Sequence, residues 1–182
     1  MHQISKEFNF EYGHRVWSQT LNPKFSVDSK CICRHLHGHS GTIKIGLEAE
    51  TLTNGMVTDF KHLNFFKVIL DDDFDHKFII DKNDPLLENF LGGYESIEPC
   101  VVNKGTYLTM DSNKLKNLKL PQHEFEMLES FVIVNFLPTS ENLTKFFYEL
   151  IESKISELGV KVSYVEFWET KKSYCKYSKN SQ

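Results

Sequence analysis

The most regular part of the chain reads His37-Gly38-His39-Ser40-Gly41-Thr42-Ile43-Lys44-Ile45-Gly46-Leu47-Glu48-Ala49-Glu50. From Thr42 to Glu50 apolar and polar side chains alternate, which is the period of a strand with one buried face. Two histidines two positions apart stand just before this run, and side chains two apart on a strand point the same way. The segment therefore predicts a half-buried β-strand that begins close to His37 and His39.

A second alternating run, at residues 5–16, reaches another histidine. Its shared face carries Phe8, Phe10, Tyr12 and His14. A paired neighbouring strand can bring His14 to the same place as His37 and His39. Three neutral imidazoles with one open position are the ligand set of a catalytic zinc ion rather than of a closed structural site. The sequence therefore predicts a Zn²⁺ site formed by these three histidines. The alternative is a turn with two surface histidines and a separate core histidine.

Two segments have helical periodicity. Residues 59–72 carry an apolar stripe at helical spacing, which predicts an amphipathic helix. A longer helix is predicted to begin at Thr139 or Ser140, either of which can cap it, and Gly159 fits the position just beyond its end. The segment 82–130 gives no clear pattern, and we expect it to be a long insertion or excursion.

The other predicted strands are recognised from apolar runs and turn residues. Residues 131–136, which are apolar except for Asn135, predict another strand, and residues 160–169 predict a last strand. Asn54-Gly55 is a strong hairpin signal, so residues 56–58 are expected to start a returning strand. The polar tail from about residue 173 is expected to fray. Together these elements predict an α+β fold, with two helices packed on one face of an antiparallel four-stranded sheet.

Length and composition favour one globular domain. The chain has 182 residues, of which 40% are hydrophobic and 25% charged, and these proportions are ordinary for a domain with its own core. A net charge of −4 argues against a nucleic-acid binder. Apolar runs are too short to cross a membrane, and the N-terminus lacks a signal peptide's apolar core. We therefore expect a cytoplasmic protein whose four cysteines are free thiols.

Three further groups of residues suggest proton transfer or ligand binding. Asp75 could fix the tautomer of His76 and raise its basicity. Cys31 and Cys33 could form a tight structural zinc site with the nearby histidines, or one thiol could act as a base near the metal. Glu169 shares a strand face with apolar residues, where an unpaired carboxylate is costly. It either accepts from local backbone amides or awaits a ligand with two adjacent donors, such as a 2-amino-4-oxo pterin.

Six short motifs run through the chain in order. They are Phe10-Glu11-Tyr12-Gly13-His14-Arg15, Cys33-Arg34-His35-Leu36-His37-Gly38-His39, Gly55-Met56-Val57-Thr58-Asp59-Phe60, Phe74-Asp75-His76-Lys77, Pro138-Thr139-Ser140-Glu141-Asn142-Leu143 and Glu166-Phe167-Trp168-Glu169-Thr170. Together they resemble the 6-pyruvoyl-tetrahydropterin synthase and 6-carboxytetrahydropterin synthase family. Only the segment 82–130 is longer than is usual there. The resemblance implies the tunnelling fold, in which subunits join their sheets into a barrel, commonly as trimers stacked into hexamers with active sites between subunits.

The resemblance also implies an activity on 7,8-dihydroneopterin triphosphate. The zinc ligands would be His14, His37 and His39. A cysteine thiolate would move protons on one face of the substrate, while Asp75 and His76 would do so on the other. Glu169 would anchor the pterin ring, assisted by the hydroxyl or backbone of Thr139.

The position of the catalytic cysteine distinguishes two products within the family. Three residues between the cysteine and the first histidine are typical of the carboxy enzymes, which release acetaldehyde and triphosphate on the way to queuosine. Five are typical of the pyruvoyl enzymes, which release triphosphate alone. Cys33 lies at the first spacing and Cys31 at the second. We favour Cys33 and the carboxy product, although His35 is unusual within this motif. The alternatives are the pyruvoyl enzyme and a non-catalytic pterin- or metal-binding protein.

Overall fold

The computed structural model describes residues 1–26, 31–91 and 94–179. Contacts between residues divide the chain into two compact units. The first unit comprises Met1–Glu11, His39–Asp75 and Ser140–Gln182, and the second comprises Tyr12–Gly38 and His76–Thr139. That residues 1–182 form a single domain stays a prediction.

Eight strands lie in the described residues. They are β1 (His2–His14), β2 (His37–Ala49), β3 (Lys77–Asp81), β4 (Val101–Asn103), β5 (Leu108–Met110), β6 (Phe131–Val134), β7 (Lys161–Thr170) and β8 (Ser173–Tyr177). Their hydrogen-bonded order is β4-β5-β6-β3-β1-β2-β7-β8. The α+β class is confirmed, but the predicted antiparallel four-stranded sheet is wrong, because this sheet is mixed and has eight strands.

Strand β3 accounts for much of the difference. It pairs in parallel with β1, where His14 lies opposite Ile79, and in parallel with β6, where Ile80 lies opposite Ile133. Parallel neighbours require a long crossover connection, and the segment 82–130 supplies the one between β3 and β6. The apolar part of β3 is too short to give a periodic signal in the sequence.

The helices are α1 (Asn64–Ile69), α2 (Pro85–Leu91), α3 (Tyr94–Ile97), α4 (Ser112–Asn117), α5 (Gln122–Glu129) and α6 (Ser140–Ile155). The predicted helix at 59–72 is present, but a 3-10 turn precedes α1 and a π turn, Leu70–Phe74, follows it. Helix α6 begins where the sequence predicts, and Gly159 has a left-handed φ of 69° after its final turn. Within the described residues, no helix is both long and apolar enough to span a membrane.

The first unit has an aromatic core. The ring of Phe147, on α6, lies 5.2–6.1 Å between centroids from five other phenylalanine rings. They belong to Phe10, Phe66, Phe74, Phe146 and Phe167. Strand β7 pairs antiparallel with β2 and with β8. Strand β8 also shows that the prediction of a frayed tail from residue 173 is wrong, because the polar residues of β8 alternate with partly buried ones and pair with β7.

The second unit has an aliphatic core of its own. Its buried members are Ile80, Leu87, Ile97, Cys100, Met110, Leu115, Leu128, Phe131 and Ile133. The segment 82–130, which gave no clear pattern in the sequence, therefore folds as short helices and two strands around this core. The paired residues Gly92-Gly93 lie outside the described part of the chain.

The predicted hairpin at Asn54-Gly55 forms only in part. Both residues have positive φ, 52° and 77°, as a tight hairpin turn requires. The returning strand predicted at 56–58 is wrong, because only an isolated bridge joins Thr53 to Met56.

Candidate metal centre and active site

The structure brings the three predicted histidines together at the ends of two neighbouring strands. His14 ends β1, while His37 and His39 open β2. One ligand nitrogen from each histidine lies within 4.8 Å of the others, and no second group of this kind is found among residues 1–26, 31–91 and 94–179. His14 is only 1% exposed. A cluster of three imidazoles at this separation is close enough to share one metal ion.

Gly38 allows the two strands to approach at this point. A Cβ atom added to Gly38 would lie 2.8 Å from the backbone oxygen of Tyr12, which is shorter than real Cβ contacts. Steric crowding therefore explains why the residue between the two histidines is glycine. It lets the start of β2 lie against the end of β1, which carries His14.

Backbone carbonyls fix the tautomers of two of the imidazoles. Nδ1 of His14 lies 2.7 Å from the oxygen of Pro138, and Nδ1 of His37 lies 2.8 Å from the oxygen of His35. A carbonyl oxygen can only accept, so Nδ1 carries the proton in each ring and donates it. In the neutral ring, Nε2 then presents its lone pair. This is the outer-shell arrangement that orients metal-ligating histidines, and the residues fit a metal ion.

His35 has a structural part in this arrangement. Its side chain is exposed, and its backbone oxygen accepts from the ring of His37. The unusual residue at this position therefore contributes its backbone to the cluster.

Glu169 lies at the end of β7, near the histidine cluster. Its Oε1 is 3.7 Å from Nε2 of His39, and its side chain is 24% exposed. The sequence placed this carboxylate in an apolar environment, and it is half-buried instead. The preceding residue on its strand face, Phe167, is fully buried, so the apolar core ends between the two. A half-buried carboxylate beside the imidazoles can accept hydrogen bonds from a ligand.

The two cysteines lie on a short 3-10 turn and are both partly buried. Sγ of Cys31 donates to the side-chain oxygen of Gln19 at 2.8 Å. The backbone oxygen of Cys33 accepts from the amide of Val16 at 2.7 Å, which fixes Cys33 to the segment that follows His14. In the described part of the chain neither cysteine joins a metal-binding group. The alternative of a cysteine zinc site therefore gains no support.

A π turn presents Asp75 and His76. The amide of Asp75 donates to the oxygen of Leu70, five residues earlier, at 2.7 Å, and such turns are frequent at functional sites. Oδ1 of Asp75 accepts from the amide of Glu11 at 2.8 Å. His76 is exposed and has a left-handed φ of 57°, which costs a non-glycine residue about 1 kcal/mol. The backbone thus holds this histidine in a strained, displayed position.

Thr139 directly precedes α6 and is half-buried, and its amide donates to the oxygen of Leu137 at 2.8 Å. The next carbonyl along the chain, that of Pro138, is the one that orients His14. Thr139 therefore follows directly on an outer-shell partner of the histidine cluster.

Sequence reasoning missed the residues that support this site. Asp81, at the end of β3, and Asp84, in the turn after it, are buried and bind side chains of the segment after His14. Asp84 stands immediately before Pro85, a pattern typical of a helix start, so it could have been found. The carbonyl partners of His14 and His37 leave no signal in the sequence, because every residue has one.

Comparison with known proteins agrees with this arrangement. Residues 3–180 match the family described as 6-pyruvoyl tetrahydropterin synthase. The chain belongs to this family. It is 33% identical over 187 residues to the 6-carboxy-5,6,7,8-tetrahydropterin synthase of Aquifex aeolicus, and the match covers 96% of each chain. The resemblance inferred from the six motifs is thereby confirmed.

Solved structures extend the comparison. A crystal structure of an uncharacterized protein from Wolinella succinogenes has a TM-score of 0.91 and 47% identity, covering 98% of each chain. The 6-pyruvoyl tetrahydropterin synthase of Caenorhabditis elegans has a TM-score of 0.55 and 18% identity, covering 98% of this chain and 96% of that one. At that identity the likeness shows the fold alone.

Proposed function

We propose that the chain is a zinc-dependent lyase that converts 7,8-dihydroneopterin triphosphate into 6-carboxy-5,6,7,8-tetrahydropterin, with loss of acetaldehyde and triphosphate. The observation that carries the proposal is the cluster of His14, His37 and His39, whose ligand nitrogens lie within 4.8 Å of one another. The similarity to the Aquifex protein of that name supports the choice of product. The reaction would belong to the synthesis of queuosine and related deazapurines.

The three histidines would hold the zinc ion, two of them through Nε2. Zinc bound there would polarise the side-chain hydroxyl oxygens of the substrate and acidify the adjacent C–H and O–H bonds. The Pro138 and His35 carbonyls keep the His14 and His37 rings in the required tautomer. A set of three protein ligands leaves a position for the substrate, as catalytic zinc sites require.

Proton transfer would be divided between two groups. The thiolate of Cys33 would take a proton on one face of the substrate, and its backbone bond to Val16 holds its turn beside the segment that carries His14. On the other face, His76 would exchange the proton, with Asp75 orienting its ring. The exposure of His76 suits a group that reaches the site of a neighbouring copy. Because the family resemblance implies active sites between subunits, the proposal includes a homo-oligomer built from trimers.

Glu169 would bind the pterin ring. A carboxylate can accept two parallel hydrogen bonds, and the amino and ring N–H groups of a pterin offer two adjacent donors. The hydroxyl or backbone of Thr139 would assist.

Formation of the pyruvoyl product is the second candidate function. It is supported by the position of Cys31, which is separated by five residues from the first histidine of the pair. Cys31 has the spacing of that enzyme type, although its thiol donates to Gln19. A thiol engaged in this way must exchange that bond before it can act as a base. Cys33 is favoured for its spacing and its motif.

Incubation with 7,8-dihydroneopterin triphosphate, followed by mass spectrometry, distinguishes these possibilities. We expect the carboxy product and acetaldehyde. Cys33→Ala should lower turnover by about a hundredfold or more, whereas the matched control Cys31→Ala should retain most of it. The reverse order, with pyruvoyl product, would replace the carboxy assignment. Turnover undiminished in both variants would remove the catalytic cysteine, and absence of turnover in a zinc-loaded wild type would favour a non-catalytic binding protein.

A further inference from the structure

Two buried carboxylates bind side chains of the segment 14–17, which begins at the last residue of β1. Nε of Arg15 lies 2.8 Å from Oδ2 of Asp84, with the side chains 17% and 1% exposed. The indole N–H of Trp17 donates to Oδ2 of Asp81 at 3.0 Å. Asp81 is the last residue of β3 and Asp84 lies in the turn between β3 and α2. The end of β3 and this turn therefore bind the segment 14–17 at two alternate positions.

The other two residues of the segment serve the candidate site. His14 is a member of the histidine cluster, and the amide of Val16 donates to the oxygen of Cys33 at 2.7 Å. Along residues 14–17, His14 and Val16 contact the site, whereas Arg15 and Trp17 bind the two aspartates. A displacement of the segment away from the aspartates would move the metal ligand and the cysteine turn together.

Each aspartate has a second bond that fixes the turn itself. Oδ1 of Asp81 accepts from the amide of Asn83 at 2.9 Å, and Oδ1 of Asp84 accepts from the amide of Leu86 at 2.8 Å. The amide of Asp84 also donates to the backbone oxygen of Asp81 at 2.9 Å. The turn is therefore held by its own bonds, while the Oδ2 atoms bind the segment.

Removing one partner of a buried pair is costly, because it leaves the other charge without compensation. Arg15 would then have to turn toward solvent, and its neighbour His14 shares the same backbone. The planar guanidinium, with its fixed N–H directions, is also not reproduced by lysine. The Arg15–Asp84 pair therefore favours a single conformation of the segment 14–17.

We propose that Asp84 and Asp81, acting through Arg15 and Trp17, position His14 for metal binding and the Cys33 turn for catalysis. The proposal rests on the proposed function only in assigning Cys33 its role. It also assigns a structural role to the segment 82–130, because Asp84 lies in the first turn of that segment, directly before α2. Asp81, Asp84, Arg15 and Trp17 are positioning residues, because none of them is a member of the histidine cluster.

The test compares three variants. Asp84→Asn keeps an oxygen for the Leu86 amide and removes the charge that holds Arg15. Trp17→Phe removes the indole donor and keeps an aromatic ring. Asp111→Asn is the matched control, because Asp111 also lies before a helix, α4, and accepts from the amides of Asn113 and Lys114.

Two measurements report on position rather than stability. One is the zinc dissociation constant, measured by competition with a chromophoric chelator, and the other is the rate of Cys33 alkylation by iodoacetamide in zinc-free protein, read by mass spectrometry. We expect Asp84→Asn to weaken zinc binding about tenfold and to change the Cys33 alkylation rate, with Trp17→Phe changing both in the same direction by less. Asp111→Asn should match wild type in both measurements.

The proposal is overturned if Asp84→Asn and Trp17→Phe match Asp111→Asn in zinc affinity and in Cys33 alkylation, whatever their thermal stability. Should Asp84→Asn fail to fold, Trp17→Phe decides by the same comparison. Zinc affinity and alkylation do not require turnover. A wild type that binds zinc but makes no pterin product would therefore contradict the proposed function and leave this result readable.

Discussion

In the first unit Phe147 meets five other phenylalanine rings, whereas in the second unit Arg15 and Trp17 are held by two buried aspartates. Burial of apolar area is non-directional, so each ring contributes mainly through the area it removes from water. Ion pairs and hydrogen bonds depend on direction and fix the place of particular atoms. The contrast indicates that the first unit depends mainly on burial for its stability, and that the second uses polar contacts to fix geometry.

The largest effect on stability is expected for Phe147→Ala. The ring is fully buried among its five partners, so its removal leaves a cavity in a core that cannot collapse freely. We expect a loss of about 3–5 kcal/mol in the free energy of unfolding, measured by denaturant titration. Phe147→Leu is the control and should lose less, because it fills part of the space. A loss below about 1 kcal/mol would contradict the inference that the first unit depends mainly on burial for its stability.

Leu115→Ala tests the aliphatic core of the second unit. Leu115 is fully buried in that cluster, and its truncation should cost about 2–4 kcal/mol. Because the side chain is smaller than a phenylalanine ring, the loss should be less than for Phe147→Ala. Equal losses measured in parallel titrations would mean that the two cores contribute alike.

Gly38→Ala should affect geometry more than stability. The added Cβ would lie 2.8 Å from the Tyr12 oxygen, and relief of this contact requires the ends of β1 and β2 to separate. We expect a stability cost of about 1–3 kcal/mol, together with weaker zinc binding. Gly55→Ala is the control, since nothing lies within 4 Å of its added Cβ and only its φ of 77° is strained. Zinc binding equally unchanged in both variants would contradict a steric role for Gly38 at the site.

The smallest effect is expected for Lys67→Ala. Lys67 pairs with Asp71 one helical turn away, and both side chains are about half exposed. Such pairs contribute about 0.5 kcal/mol or less, and salt screens them. Equilibrium unfolding at low and high salt should therefore show little change. A loss above about 1 kcal/mol in the free energy of unfolding would mean that exposed charges also contribute substantially to the stability of the first unit.

The same contrast explains how much could be predicted from the sequence. The strands and the helix that meet around Phe147 repeat apolar residues at a fixed period, and β1, β2, α6 and β7 all lie close to their predicted positions. The convergence of His14, His37 and His39 followed from the same periodicity, because strand alternation sets the direction of each side chain.

Other features could not be predicted because distant partners determine them. Strand β8 is polar and becomes a strand by pairing with β7. The parallel pairing of β3 depends on neighbours far along the chain. The hydrogen bond that orients His14 goes to a backbone carbonyl 124 residues away in sequence, and Arg15 pairs with Asp84, which is also distant in sequence. Patterns in a single sequence predict which side chains are buried, but they do not predict which distant residues form hydrogen bonds or ion pairs with each other.

Metal analysis of the purified protein tests the central claim most directly. The three-imidazole site predicts about one zinc ion per chain in the wild type and loss of that ion in His14→Ala, with the exposed His123→Ala as control. Wild-type protein that binds no zinc when supplied with it, or a folded His14→Ala variant that binds zinc as tightly as His123→Ala does, would contradict a metal centre formed by these histidines.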